Sequence, residues 1–151
     1  ESRTKNEGGG MSEANDLWVT AQTVWGEARG ESVEGRIAVA HVIRNRALLL
    51  LRQRPTTLEP YVLVCKMPWQ FSCWNQNDPN RALLEALSLK NLAFAACLHV
   101  AVDVLSGQVV SPVGHARHYF NPAAVVKTPA WAQGKTPVVS IGHHDFYEGI
   151  A

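Results

Sequence analysis

Apolar residues recur at helical spacing over most of the chain and at strand-like spacing only near its end. Leu17, Ala21, Val24, Trp25 and Ala28 share one side of a helix that Ser12 is placed to cap. Val39, Ala40, Ile43, Ala47 and Leu50 form the stripe of a second helix, expected over 33–51. Ser32 is its cap, Glu34 sits in its first turn, and Arg36, Arg44 and Arg46 lie largely off the stripe. His41 lies beside the stripe and is expected as a semi-buried, hydrogen-bonded ring. Pro55 marks a connector, and 58–64 reads as one short helix that tolerates Pro60 in its first turn. From Asn80, taken as a cap, helical spacing runs through 81–107, in one piece or in two broken at 88–91. Gly107 suits the position just past a helix end.

Beyond Gly107 the pattern changes. The segments 115–122 and 138–147 hold short β-branched or aromatic runs bounded by Gly and Pro, and are expected as short strands that pair with each other. Residues 128–137, around Trp131, read as loop or a single turn. Helices followed by strands predict an α+β fold, mainly helical with a small antiparallel element. The expected organisation is a single catalytic domain over 12–151. Residues 1–11 precede it as a flexible arm or an expression remnant, polar and carrying Gly8-Gly9-Gly10.

Composition narrows the classes. With 151 residues, 46% hydrophobic and 18% charged, the chain can bury one real core. A net charge of +1 gives no electrostatic case for nucleic acid. The polar start lacks a signal-peptide core, and the leucine run at 48–51 is far too short to span a bilayer, so no membrane insertion is expected. Cys65, Cys73 and Cys97 match no zinc motif. Free, buried thiols are expected, with a Cys65–Cys73 bridge as the alternative.

The candidate chemistry centres on Trp25-Gly26-Glu27-Ala28-Arg29-Gly30-Glu31. Glu27 follows the apolar Val24 and Trp25 at the end of the first helix, where packing can fix its backbone and partly desolvate its carboxyl. Desolvation raises a carboxyl pKa, as a general acid near neutrality requires. The glycines at 26 and 30 leave room for a close approach by another backbone or a ligand. The bland alternative is a set of surface carboxylates at a helix junction. A second candidate region, 68–80, mixes Trp69, Phe71 and Trp74 with amide and hydroxyl side chains and has no helical period. Such loops suit sugars, since aromatic faces stack on pyranose rings while amides bond hydroxyl and acetamido groups. The alternative for each aromatic is simply to pin the loop to the core.

The ordered motifs resemble a known family. Gly26-Glu27-Ala28-Arg29-Gly30-Glu31, Glu34-Gly35, Ala38-Val39-Ala40 and Asn45-Arg46 are similar to the opening of the SleB-like cell wall hydrolases, which include spore-cortex-lytic enzymes and bacteriophage endolysins. Gln70-Phe71-Ser72, Tyr119-Phe120-Asn121-Pro122 and Ile141-Gly142-His143-His144-Asp145-Phe146-Tyr147 resemble its later motifs in the same order. His143-His144 departs from the Asn-His pair common in that family. The resemblance implies a lysozyme-like α+β fold with Glu27 as catalytic acid and no cofactor or metal. The implied substrate is the peptidoglycan glycan strand, cut between N-acetylmuramic acid and N-acetylglucosamine. It implies substrate-binding roles for Gln70, Phe71, Ser72, Tyr119, Asn121 and His143. Members often act as lytic transglycosylases, which leave an anhydro sugar end without using water.

Glu31 is the supporting or second carboxylate. Retaining pairs stand about 5–5.5 Å apart and inverting pairs about 6.5–9.5 Å. Four helical residues would set Glu31 about 6 Å along the axis from Glu27, but on the same face, so a role in orienting or tuning fits better than that of a nucleophile. The expected mechanism therefore uses a single acid, with a hydrolytic muramidase as the alternative and Glu34 and Asp145 as reserve carboxylates. Two rivals come from other classes. One is a zinc amidase or peptidase using His115, His118, His143, His144 and Asp145. The other is a non-catalytic glycan-binding module using Trp69, Trp74, Tyr119 and Trp131. The expected biology is a monomeric phage endolysin, made in the host cytoplasm and released through a holin to act on the wall in the periplasm.

Overall fold

The computed structural model describes residues 2–151, with side chains described from Gly10 onward. Most of the expected arm of residues 1–11 lies outside the described side chains, and Ser12, expected as the cap of the first helix, lies within that helix instead. Helix α1 spans Ser2–Ala28, α2 Val33–Gln53, α3 Pro60–Lys66, α4 Asn80–Glu85 and α5 Leu92–Leu105. Strands β1 (His118–Phe120), β2 (Val139–Ile141) and β3 (His144–Tyr147) form an antiparallel sheet in the order β1-β3-β2. This is an α+β fold, as the residue pattern predicts, and of the lysozyme-like kind that the resemblance implies.

The helix starts follow from local chemistry. The Ser32 hydroxyl accepts from the Gly35 amide at the head of α2, and the Asn91 side-chain oxygen accepts from the Phe94 amide at the head of α5. Pro60 occupies the first turn of α3, where its missing N–H costs nothing. Asn80 is not the cap of α4. The Asp78 carboxylate accepts from the Asn80 amide at 2.8 Å instead. The helical stretch that follows is split, with α4 and α5 separated by turns around 88–91.

Helix α1 packs against α5, α3 and α2, and α2 packs against α3 and α5. The expected stripes supply the core: Ala21, Val24 and Ala28 of α1 and Val39, Ile43 and Ala47 of α2 are fully or nearly fully buried with Phe94 of α5. His41 is also buried. Its ring nitrogens lie 3.0 Å from the Ile37 carbonyl and 3.2 Å from the Val109 carbonyl, tying α2 to the segment after α5. Cys65, Cys73 and Cys97 are free and buried.

Strand β3 is the middle of the sheet. Tyr119 stands opposite Phe146, and Ile141 opposite His144. His144 and Phe146 face the main core, while Tyr147 joins a second cluster with Ala132, Ile150, Phe120 and Trp131. Gly142 makes the β2–β3 turn with φ +57°, a conformation that suits glycine.

Candidate active site

Glu27 lies one residue before the end of α1. Its position is fixed from below by the short turn Ser72–Trp74. Gly26 makes that approach possible, because a Cβ there would fall 2.8 Å from the Cys73 Cβ and 2.9 Å from its sulfur. The Trp74 indole N–H donates to the Thr23 hydroxyl at 2.9 Å, and the Gln22 amide donates to the Leu84 carbonyl at 3.0 Å. The 68–80 loop, through Trp74, and the following helix α4, through Leu84, are thus bolted to the last two turns of α1. Gly30, by contrast, meets nothing within 4 Å, so it offers no close approach of that kind.

Burial raises the Glu27 pKa to about 7, and the nearby charge of Asp78 pushes it the same way. A hydrogen bond from the Ser72 amide and the charge of Arg46 oppose this without offsetting it. A carboxyl of that pKa is about half protonated at neutral pH, so it can both give and take a proton.

Helix α2 aligns the opposite wall. Asn45 donates to the Gly114 and Ala116 carbonyls at 3.1 and 2.9 Å. Arg46 donates to the Arg117 carbonyl and to the Gln70 side-chain oxygen, both at 2.6 Å, and its guanidinium lies 5.1 Å from the centre of the Phe71 ring. One arginine thereby holds the loop, the lead into β1 and the charge balance at Glu27. Tyr119, at the centre of β1, stands 4.9 Å from the His144 ring and 5.5 Å from that of Phe146. Burial and the Glu27 charge hold its hydroxyl well above the usual phenol range, so it stays protonated and neutral.

The expected site residues divide. Glu27, Ser72 and Tyr119 are brought together, as their mutual electrostatic influence records. Gln70 is exposed beside them, with its oxygen committed to Arg46. Phe71 is corrected: it is 1% exposed and supports the Arg46 guanidinium from the core, out of reach of any glycan. Trp74 is likewise a core residue, whereas Trp69 is 84% exposed. The Asn121 side-chain oxygen caps the turn Pro122–Ala124 by accepting from Ala123 at 3.0 Å.

Glu31 does not continue the helix of Glu27; it sits in the turn between α1 and α2. Its carboxylate accepts from the His143 backbone at 2.8 Å and meets His143 Nδ1 at 2.6 Å. His144 Nδ1 lies 3.5 Å away, an electrostatic neighbour too distant for a good hydrogen bond. Glu31 is therefore a clamp on the β2–β3 turn. Of the reserve carboxylates, Asp145 accepts from the Ser140 hydroxyl at 2.6 Å, and Glu34 is exposed in the first turn of α2. Among the described residues no group of three His, Cys, Asp or Glu side chains is arranged to hold a metal.

Asp78 and Arg46 are the site neighbours that residue-by-residue reading did not assign, and His144 was assigned only as a candidate zinc ligand. Arg46 stands in the Asn45-Arg46 motif, a usable signal. Asp78 is hidden in a polar run whose path only the folded loop defines.

Helices closed by a small sheet over a desolvated glutamate form the framework of the site, and the sequence assigns its family. The chain belongs to the cell wall hydrolase family, whose model matches residues 30–147. It is similar to the spore cortex-lytic enzyme of Bacillus subtilis (strain 168), 32% identical over 143 residues, covering 93% of this chain and 39% of that protein. The spore cortex-lytic enzyme of Oceanobacillus iheyensis is 33% identical over 135 residues, covering 87% of this chain and 41% of that protein. The chain thus spans about two fifths of the length of these curated relatives. Its structure is similar to the catalytic domain of the germination-specific lytic transglycosylase SleB from Bacillus anthracis, with TM-score 0.60, 27% identity and coverage of 89% of this chain and 94% of that one. The catalytic domain of the Bacillus cereus SleB protein gives TM-score 0.62 at 29% identity, covering 89% and 91%.

Proposed function

We propose that this domain cleaves the glycan strand of peptidoglycan between N-acetylmuramic acid and N-acetylglucosamine, as a lytic transglycosylase with Glu27 as the general acid. The observation that carries the reading is the Glu27 carboxyl itself, desolvated at the end of α1 and raised to a pKa of about 7. The likeness to SleB catalytic domains supports the substrate and the reaction class. In this mechanism Glu27 protonates the glycosidic oxygen as the bond to C1 of the muramic acid breaks. The C6 hydroxyl of the same sugar closes on C1 and returns its proton to the Glu27 carboxylate. The ring closure needs no second carboxylate, which agrees with Glu31 being committed to His143.

A second reading, hydrolysis by a muramidase, is favoured by one observation: Asp78 is a carboxylate close enough to perturb Glu27. Mass analysis of the muropeptides released from purified peptidoglycan separates the two. Ends in 1,6-anhydromuramic acid support transglycosylation; reducing-end muramic acid overturns it in favour of water. For the cellular role we propose an endolysin, and lysis of cells expressing the domain only when a holin is expressed beside it is the expected result.

A further inference from the structure

The loop that supports Glu27 has a second side. There an open cleft of about 700 Å³ runs between Trp69 and Asp78, with Lys66 and Arg81 on its walls. Asp78 also acts on the Glu27 carboxyl, so the cleft adjoins the position of bond cleavage. Three features of this cleft bear on its ligand, and one of them, an unpaired cation, exceeds what a neutral sugar needs.

Trp69 is 84% exposed and has φ +66°, a left-handed conformation found in no other non-glycine residue among those described. A bulky residue in that region is strained, and burial of the indole offers no compensation. The indole lines the cleft and presents a flat aromatic surface to solvent there. Secondly, Lys66 is exposed and has no carboxylate partner among the described residues; its ammonium rests 4.8 Å from the centre of the Trp74 ring. Arg81, in contrast, is already paired with Glu85 at 3.2 Å. Thirdly, the exposed amides of Gln76 and Asn77 line the wall between these groups.

We propose that this cleft binds the acidic stem peptide carried by the muramic acid next to the cleaved bond, with Lys66 meeting a peptide carboxylate and Trp69 covering the peptide backbone. The inference rests on the reading that the chain cleaves peptidoglycan. Within that polymer the repeating sugars are uncharged, and carboxylates belong to the peptides. An unpaired cation in this cleft therefore reads peptide substitution rather than sugar identity. The side-chain amides match the peptide groups as donors and acceptors, and the exposed indole supplies apolar area at low entropic cost.

The test compares two substrates from one preparation: intact peptidoglycan, and the same glycan stripped of its peptides by an amidase, with the lactyl carboxylates so freed then capped as methyl amides to leave a neutral strand. The wild-type domain should cleave the peptide-bearing chains about tenfold more efficiently, the worth of one charge-assisted contact. Lys66→Gln should erase most of that preference by slowing cleavage of the peptide-bearing chains, and Trp69→Ala should do the same. Both side chains are exposed, so folding should not be affected. Equal cleavage of both substrates by the wild type overturns the stem-peptide site and leaves the glycosidase reading standing. A Trp69→Ala loss of equal size on both substrates overturns it as well, and assigns the indole to a sugar. Cleavage of neither substrate by the wild type would remove the glycosidase reading itself, and this inference with it.

Discussion

The Glu31 carboxylate meets His143 Nδ1 at 2.6 Å and joins positions 112 residues apart. The turn so fastened carries His144, whose ring packs on Tyr119. Glu31 therefore reaches the candidate site through the sheet rather than as a reacting group.

Glu31→Ala should lower the melting temperature by roughly 3–8 °C, the range for losing hydrogen bonds to a charged group in a domain of this size. The loss should depend on pH. Burial pushes the Glu31 pKa upward, but the bonds from His143 outweigh it and leave it below the ordinary 4.5. Its contribution is complete above pH 4.5 and is lost as pH falls through the depressed value. The bond from Glu31 raises His143 above 6.5, so that contribution is complete below pH 6.5 and is lost as pH rises through the raised value. Thermal melts should show the largest gap between wild type and variant between pH 4.5 and 6.5.

Gly142→Ala should be more disruptive than its size suggests. The residue has φ +57°, and an added Cβ would lie 2.6 Å from Glu31 Oε1. The left-handed conformation alone costs about 1–2 kcal/mol with a side chain. Removing the clashing carboxylate as well should make the double variant Gly142→Ala, Glu31→Ala more stable than the sum of the two losses predicts. Additive losses in a double-mutant cycle would refute the contact.

At the other end of the motif, Gly26→Ala should injure activity before stability. The new methyl would displace Cys73, and with it the neighbouring Ser72 amide that bonds Glu27. Cell wall turbidity assays should report a loss well beyond any change in the fraction folded. Full activity would mean that the turn at 72–74 does not position the acid.

Much of this was legible in the sequence, for reasons tied to particular residues. The stripes through Val24 and Ile43 are set by the helical period, and these side chains are indeed core. Glu27 stood out because it directly follows such a stripe. Phe71 and Tyr119 were harder, since an aromatic residue beside polar ones is equally suited to core and to ligand. Phe71 went to the core. Tyr119 is partly buried and packs on Phe146, so Tyr119→Ala should cost stability, about 2–4 kcal/mol for a large aromatic truncation, and not activity alone. The partners of Glu31 could not be read at all, because no local pattern links it to a turn so far along the chain.

The last prediction concerns Glu27 and Asp78 together. Glu27→Gln keeps the shape of the side chain but removes its ionisable proton, and activity should fall by about 10²–10⁴-fold or more if Glu27 is the general acid. Stability should move the other way. A carboxyl raised from 4.5 to about 7 in the folded state contributes stability that is complete below pH 4.5 and is lost as pH rises through 7. The neutral amide escapes that loss, so Glu27→Gln should melt higher than the wild type at pH 8 and the gap should shrink toward pH 4.5. For the wild type, activity should fall on the alkaline side as Glu27 loses its proton. Asp78→Asn removes the neighbouring negative charge that helps hold the proton on, so that alkaline limb should shift to lower pH. An unchanged limb would mean that another group sets it, and an active Glu27→Gln enzyme would require a different acid altogether.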